Sequence, residues 1–217
     1  MSAPGERSVT IAVGRQVALD ADVTRPPSAR GVVAFAHGSG SSRHSSRNRH
    51  VAALLQDAGL VTVLADLLTA DEEAVDVRTR ELRFDISLLA ERVVAIVDWL
   101  SDEDDLAPLP VGVFGASTGA AAALVAASRR SVGAVVSRGG RPDLAGDALA
   151  AVDAPTLLIV GGADVQVLEL NRAALAELRG AKRLTVVPGA THLFEEPGAL
   201  DAVAVLARDW LLEYLAV

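Results

Sequence analysis

The pentapeptide Gly115–Gly119 (Gly-Ala-Ser-Thr-Gly) places a serine between two glycines, each two residues away. A serine hydroxyl attacks carbonyl carbon once a base takes its proton, and a sharp turn from a strand into a helix exposes it. The apolar run Val111–Phe114 precedes the pentapeptide, and an alanine-rich stretch follows from Ala120. This context predicts that Ser117 is a nucleophile at the start of a helix. It also predicts that strand and helix approach too closely for side chains at positions 115 and 119.

The base and the acid that such a serine needs follow it in the chain. Of the four histidines, only His192 lies beyond Ser117, in a loop after the last predicted strand. Asp164 comes after a predicted strand and a two-glycine turn, at the carboxyl end where open α/β sheets build their sites. The order Ser, Asp, His therefore predicts a catalytic triad of Ser117, Asp164 and His192. Asp143, in the loop after the preceding strand, is the alternative acid.

A second loop is suited to binding the negative charge that develops on the attacked carbonyl. The segment His37–Gly40 (His-Gly-Ser-Gly) directly follows the predicted strand Gly31–Ala36. In elbow-type hydrolases this loop supplies one backbone N–H, and the residue after the nucleophile supplies the other. We therefore predict the amides of Ser39 and Thr118 as the oxyanion hole. His37 is expected to order its loop and not to react.

Four arginines fall in loops that should open on the same end of the sheet. Arg43 and Arg47 follow the His-Gly loop, whereas Arg138 and Arg141 follow the predicted strand Val132–Ser137. The functional hypothesis is that Arg43 and Arg138 bind a carboxylate or phosphate of the substrate. The alternative is that these arginines are solvated and paired with some of the 28 acidic residues.

Short β-branched runs alternate with helical patterns along nearly the whole chain, which is typical of parallel strands with crossover helices. The predicted strands are Ser8–Val13, Val17–Val23, Gly31–Ala36, Leu60–Ala65, Val111–Phe114, Val132–Ser137, Thr156–Val160 and Leu184–Val187. The predicted helices are Asn48–Ala58, Ile86–Leu100 with Asp85 as N-cap, one from Thr118, Leu144–Ala150, Leu168–Leu178 and Ala199–Leu215; Asp71–Arg83 stays unassigned. We expect one α/β domain over residues 1–217, with an antiparallel start and a mostly parallel sheet of about eight strands.

Composition excludes several classes of function. The chain has 217 residues, 51% hydrophobic and 22% charged, with no cysteine and a net charge of −8. The absence of cysteine rules out disulfides and thiolate metal sites, and an acidic chain with 3% aromatic residues is unsuited to general nucleic-acid binding.

Met1–Thr10 shows no signal-peptide pattern. The uncharged stretch Leu106–Ser128 is long enough to span a membrane, but prolines and glycines interrupt it, so it is interpreted as strand, turn and helix. We expect a cytoplasmic monomer or homodimer without metal, nucleic-acid or membrane partners.

The chain resembles the α/β-hydrolase superfamily, and within it the dienelactone hydrolase-like family. The segments that carry the resemblance are His37–Ser45, Asp66–Thr69, Gly115–Gly119, Ser137–Pro142, Gly161–Asp164 and Thr191–Phe194. The resemblance implies a cofactor-free hydrolase with an Asp164–His192–Ser117 triad. Dienelactone hydrolases proper use a cysteine nucleophile, and Ser117 in that place points to a serine carboxylesterase.

The resemblance also predicts the size of the substrate. In this superfamily a cap domain usually follows the strand that here ends near Ser137, yet only Arg138–Pro155 separate it from the next strand. Eighteen residues are too few for a cap, so we expect an open, shallow site that prefers short acyl chains on a small-molecule ester. The alternatives are a dienelactone or lactone hydrolase, an acyltransferase on the same triad, or a non-catalytic interaction protein.

Overall fold

The computed structural model describes residues 5–215, which form one eight-stranded sheet with helices on both faces. The strands are β1 (Gly5–Val13), β2 (Val17–Arg25), β3 (Gly31–Ala36), β4 (Leu60–Ala65), β5 (Val111–Ala116), β6 (Ala134–Arg138), β7 (Thr156–Gly161) and β8 (Lys182–Val187). Their order across the sheet is β1-β2-β4-β3-β5-β6-β7-β8. β2 runs antiparallel to β1 and β4, and the other neighbours are parallel. The predicted antiparallel start and mostly parallel sheet are confirmed.

Helices cover both faces of this sheet. They are α1 (Ser46–Asp57), α2 (Ala70–Thr79), α3 (Ile86–Asp102), α4 (Thr118–Arg129), α5 (Val165–Glu177) and α6 (Ala199–Leu215). Helices α1 and α6 pack together on one face, and α3 and α4 on the other, each pair over its own apolar cluster. Because both faces are covered, every residue of β3, β4 and β7 is buried.

Helix α3 shows why these residues form these elements. Its buried side chains recur at the spacing of one helical face, including Leu89, Val93, Ile96 and Leu100. The predicted N-cap is confirmed, because the Asp85 carboxylate accepts a hydrogen bond from the Leu88 N–H at 3.0 Å. The helix thereby begins where its apolar stripe begins.

The unassigned connection 71–83 contains a helix and a turn. Helix α2 starts behind a capping box, in which Thr69 Oγ1 accepts from the Glu72 N–H and the Glu72 carboxylate accepts from the Thr69 N–H. The Thr-x-x-Glu pattern was a usable signal, but α2 buries only Asp76, so no apolar periodicity accompanies it. A 3₁₀ turn, Leu82–Phe84, completes the connection.

Some boundaries differ from the predicted ones. The β1–β2 hairpin pairs as far out as Gly5 and Arg25, so both strands extend beyond their apolar cores. Strand β6 is Ala134–Arg138 and not Val132–Ser137, and α5 begins at Val165, three residues before the predicted start at Leu168. These shifts matter because they place Arg138 at the end of a strand and Asp164 directly before a helix.

The segment between β6 and β7 holds a 3₁₀ element, Pro142–Ala151, broken at Gly146 where φ is 53°. It packs against the helices α4 and α5. No cap therefore stands over the carboxyl ends of the strands in the part of the chain described, as predicted. Among residues 5–215, no helix has both the length and the apolar character needed to cross a membrane.

Candidate active site

The turn between β5 and α4 holds Ser117 in a conformation that few non-glycine residues adopt. Its φ is 51° and its ψ is −121°. A Cβ at Gly115 would lie 2.4 Å from the Cα of Ala120, and one at Gly119 would lie 2.3 Å from the carbonyl oxygen of Ala36. Both distances are far below van der Waals contact, so the predicted collision at these two positions is confirmed. The turn has the form of a nucleophile elbow, which exposes the serine hydroxyl above the sheet.

The three residues of the predicted triad lie together at the carboxyl end of the sheet. Nε2 of His192 lies 3.4 Å from Oγ of Ser117, and Nδ1 of His192 lies 2.6 Å from Oδ2 of Asp164. When Nδ1 carries the proton and donates it to the carboxylate, Nε2 is free to accept from the serine. The longer serine–histidine separation is common in free hydrolases, since this hydrogen bond tightens when substrate binds.

Asp164 directly precedes α5 but does not cap it. Its side chain makes no hydrogen bond to the first turn of the helix, because the carboxylate is turned towards His192. The Asp164 side chain is 15% exposed and that of His192 is 37% exposed, so the histidine faces the solvent from which a substrate arrives. The alternative acid, Asp143, is bound to the guanidinium of Arg141 at 2.7 and 2.9 Å. The geometry therefore favours Asp164.

The His-Gly loop lies against the serine. A Cβ at Gly38 would be 3.1 Å from the Cβ of Ser117, so the backbone of the loop reaches the elbow. Neither the Ser39 N–H nor the Thr118 N–H, the two predicted oxyanion donors, has an acceptor among the described residues. Both amides are thus available to a developing oxyanion, Thr118 at the first position of α4.

His37 is buried behind this loop and holds it in place. Its Nε2 accepts from the Leu67 N–H at 3.0 Å, so Nδ1 carries the proton and donates to the Gly38 carbonyl at 3.0 Å. Burial lowers the pKa of His37, although the Gly38 carbonyl and the carboxylates of Asp66 and Glu73 act in the opposite direction. A neutral imidazole with both nitrogens occupied cannot serve as a base, in agreement with its expected ordering role.

Arg43, the first of the two predicted anion-binding arginines, is surrounded by carboxylates. Its backbone N–H donates to Asp66 at 2.6 Å and its guanidinium pairs with the same carboxylate. Asp22 and Asp20 lie 3.7 and 3.9 Å from guanidinium nitrogens. The charge of Arg43 is therefore compensated within the protein, which favours the paired alternative for this residue.

Arg138, the second, has a different environment. The residue is 7% exposed, and its Nη2 lies 3.4 Å from Oδ1 of Asn48. Its Nε and Nη1 are buried without a hydrogen-bond partner among the described residues. Burial lowers the pKa of Arg138 to about 10, and the neighbouring Arg47 cation adds to this effect.

A polar cleft of about 540 Å³ adjoins the His-Gly loop. Its lining residues are Ala18, Asp20, His37, Gly40, Ser41, Ser42, Arg43, His44, Ser45, Asp66, Leu68, Thr69, Ala70 and Glu73. The triad is not among them, so the cleft lies beside the reacting atoms and not around them. Sequence reasoning missed its acidic residues, because they come from β2, the end of β4 and α2, whose adjacency no local spacing indicates.

Within residues 5–215, no three histidine, aspartate or glutamate side chains converge as a metal ion would require. The polar side chains that do meet are those of Ser117, His192 and Asp164, and the amides of Ser39 and Thr118 have no acceptor among the described residues. Such an arrangement can deprotonate a hydroxyl, deliver it to an acyl carbon and stabilise the resulting oxyanion.

Comparisons with known proteins agree with this architecture. A crystal structure of dienelactone hydrolase from Anabaena variabilis is 58% identical, with a TM-score of 0.97 over 99% of this chain and 100% of that chain. The esterase Est1E from Butyrivibrio proteoclasticus shares the fold at 17% identity, with a TM-score of 0.79 over 95% of this chain and 98% of that one. The predicted α/β-hydrolase fold is confirmed.

A Mycobacterium tuberculosis protein named "Putative phosphoribosyl transferase" is 60% identical over 205 residues, which are 94% of this chain. The chain spans 45% of the length of that relative, so the name describes a protein more than twice as long. The model of the dienelactone hydrolase family matches residues 19–213, nearly the whole chain. The chain therefore belongs to the dienelactone hydrolase family.

Proposed function

We propose that this protein is a serine hydrolase that cleaves carboxylic esters with short acyl chains through an acyl-enzyme intermediate. The observation that carries the proposal is the contact of His192 with both Ser117, at 3.4 Å, and Asp164, at 2.6 Å, on a serine held at φ 51°. Membership of a hydrolase family supports the same class of reaction.

In the first step, Ser117 Oγ attacks the carbonyl carbon of the ester while His192 Nε2 takes the hydroxyl proton. The carbonyl oxygen becomes an oxyanion that accepts hydrogen bonds from the Ser39 and Thr118 amides. As the carbon–oxygen bond to the alcohol breaks, His192 returns the proton to the leaving alkoxide. Water then attacks the acyl-serine by the same route, the carboxylic acid leaves and the serine is restored. Asp164 holds the histidine in the required tautomer throughout.

Hydrolysis of a lactone is the second candidate, because the 58% identical Anabaena variabilis protein is named a dienelactone hydrolase. The chemistry is the same, except that the alcohol stays attached to the acid after ring opening. The two are separated by comparing kcat/KM for p-nitrophenyl acetate with that for a dienelactone.

Two further alternatives are transfer of the acyl group to an acceptor other than water, and the phosphoribosyl transfer named for the mycobacterial relative. An acyltransferase on the same triad would make a new ester when an alcohol or thiol is added, which product analysis detects. A phosphoribosyl transferase moves a sugar phosphate and requires no nucleophilic serine with a histidine–aspartate pair. We therefore assign acyl chemistry to this chain.

The test of the proposed function is labelling of the protein with a fluorophosphonate probe, followed by mapping of the modified peptide. We expect the label on Ser117 and a loss of roughly 10⁴–10⁶ in kcat for Ser117→Ala, since triad members act as a unit. Ser101→Ala, on the exposed end of α3, is the matched control and should keep wild-type activity. Labelling of another serine, or an active Ser117→Ala protein, would show that the assignment is wrong.

A further inference from the structure

Among residues 5–215, no carboxylate pairs with the buried guanidinium of Arg138. Moving an isolated charge out of water is costly, and buried charges in proteins are normally paired or hydrogen-bonded on each donor. Here Nε and Nη1 have no partner among the described residues, and the one polar contact of the guanidinium is to the neutral amide oxygen of Asn48. A residue held in this way is stabilised if an anion from outside the protein binds to it.

The surroundings of Arg138 are positive as well. Arg47 is close enough to lower the pKa of Arg138, and its own Nε is buried without a hydrogen-bond partner in residues 5–215. The nearest acid to Arg47 is Glu195, 3.9 Å away and 68% exposed on its side chain. Both Arg47 and Asn48 belong to the first turn of α1, which carries no acidic residue. The positive end of the helix dipole thus adds to two guanidinium groups.

This cluster adjoins the triad. The carbonyl oxygen of Arg138 accepts the N–H of Ser117 at 3.2 Å. The next residue, Gly139, is so placed that a Cβ there would lie 3.1 Å from the carbonyl oxygen of His192. Arg138 is therefore paired in register with Ala116, the residue before the nucleophile, and its carbonyl oxygen binds the N–H of the nucleophile itself. A group bound to Arg138 would for this reason belong to a substrate whose ester reaches Ser117.

We propose that Arg138, Arg47 and the N-terminus of α1 form a binding site for a phosphoryl group, carried as a phosphomonoester by the ester substrate. Two neighbouring guanidinium groups and a helix N-terminus are compensated by a dianion, whereas a carboxylate supplies a single charge. The free Nε and Nη1 of Arg138 donate to phosphate oxygens, and Arg47 closes the site from its half-exposed position. The substrate class rests on the ester hydrolysis proposed above, but phosphate binding does not.

The first experiment measures binding without using activity. Thermal unfolding is followed with increasing inorganic phosphate, against chloride at equal ionic strength. We expect the Tm of the wild type to rise by about 3 °C or more at a phosphate concentration about ten times Kd. The rise should be lost in Arg138→Met and reduced in Arg47→Met. Arg208→Met, an exposed arginine paired with Asp209, is the matched control and should keep it.

The same variants separate a ligand site from a structural arginine. Without phosphate, Arg138→Met should have a Tm equal to or above that of the wild type, because an unpaired buried charge is removed. A strongly lowered Tm of Arg138→Met would indicate a structural role and overturn the proposal. So would an equal phosphate response in wild type and Arg138→Met, since that is the general effect of phosphate on proteins.

The second experiment tests the substrate class with three esters that share an acetyl group and a three-carbon chain. They are 3-acetoxypropyl phosphate, 4-acetoxybutanoate and 3-hydroxypropyl acetate. We expect wild type to have its highest kcat/KM for the phosphate ester, and the ratio of phosphate to neutral ester to fall at least tenfold in Arg138→Met but not in Arg208→Met. An unchanged ratio, or a preference for the carboxylate ester, would contradict the phosphoryl assignment. Phosphate binding with no hydrolysis of any ester would contradict the proposed hydrolysis and leave the anion site standing.

Discussion

Asp164 occupies a position where aspartate ordinarily caps a helix, yet its carboxylate accepts from His192 at 2.6 Å and α5 begins without a side-chain cap. The helix gives up a stabilising contact of about 1 kcal/mol so that the imidazole is held in one tautomer. A residue that forgoes its local role in this way indicates that its distant contact is the functional one.

Asp164→Asn tests that interpretation. The amide keeps the shape of the side chain but loses the charge and permits the wrong imidazole tautomer, so we expect kcat to fall by about 10⁴. The measurement is kcat for p-nitrophenyl acetate at neutral pH. Asp143→Asn, the carboxylate bound to Arg141, is the control and should remain active. If the losses are reversed between the two variants, the alternative acid is the correct one.

The burial of His37 affects how the stability of the folded protein changes at acidic pH. Burial lowers its pKa in the folded protein below the ordinary value of 6.5, so folding favours the neutral imidazole. Its contribution to the free energy of unfolding is therefore complete above pH 6.5 and is lost as the pH falls below it towards the lowered pKa. Protonation of Nε2 also removes the acceptor of the Leu67 N–H.

We expect the Tm of the wild type to fall more steeply between about pH 7 and about pH 5 than the Tm of His37→Gln, which has no ionisable group there. His44→Gln, whose histidine is exposed, is the control and should follow the wild type. Parallel Tm–pH curves for His37→Gln and wild type would show that His37 is not the group responsible.

At the scale of elements, the elbow requires two close approaches of the backbone, one at each glycine. At Gly115 the end of β5 meets the start of α4, and at Gly119 the start of α4 meets Ala36 at the end of β3. In Gly115→Ala the new Cβ would lie 2.4 Å from the Cα of Ala120, and backbone atoms cannot rotate away as a side chain can. We expect a loss of about 1–3 kcal/mol in the free energy of unfolding, or more, and a larger loss of activity through displacement of Ser117.

Urea unfolding and ester hydrolysis together measure this effect. Gly5→Ala, where a Cβ meets nothing within 4 Å, is the matched control and should change neither quantity. A fully active and stable Gly115→Ala protein would mean that the elbow is not as tight as the structure has it.

Asp76 of α2 and Arg83 form an ion pair that contacts the His-Gly loop. Burial alone would raise the pKa of Asp76, but hydrogen bonds from the backbone and side chain of Arg83 outweigh it and hold this pKa below its ordinary range. The same guanidinium reaches the His-Gly loop, since a Cβ at Gly40 would lie 3.0 Å from Nη1 of Arg83. Thus an ion pair outside the site contacts the loop whose Ser39 amide is the predicted oxyanion donor.

At the scale of the whole molecule, the uncapped sheet determines what can bind. The 3₁₀ element Pro142–Ala151 packs beside α4 and α5, so within residues 5–215 no cap domain covers Ser117. Each methylene that remains in water forgoes about 0.8 kcal/mol of binding, so longer acyl chains should gain little affinity.

We expect kcat/KM for p-nitrophenyl esters to be greatest between acetyl and butyryl and to show no jump at a lipid–water interface. The measurement is a chain-length series at concentrations below micelle formation, repeated with emulsified ester. A maximum at dodecanoyl or longer would require a buried acyl tunnel and would contradict the open site.

The sequence predicts which residues lie at the candidate site better than it predicts the charges that surround them. The closeness of Ser117, Asp164 and His192 could be predicted because each follows a recognisable strand, and the carboxyl ends of parallel strands meet at one edge of the sheet. The eight strands followed from β-branched runs, and the glycines of the elbow from the closeness of strand and helix. These are local signals, carried by a few consecutive residues.

The two arginines show what local signals cannot provide. Arg43 and Arg138 look alike in the sequence, each in or at a loop at the same end of the sheet. Their environments depend on residues far away in the chain. Asp66, Asp22 and Asp20 surround Arg43, whereas Arg138 meets the neutral Asn48 and the cation Arg47. Electrostatic compensation is a sum over neighbours in space, so the charge state of a site's surroundings follows from the fold and not from residue spacing.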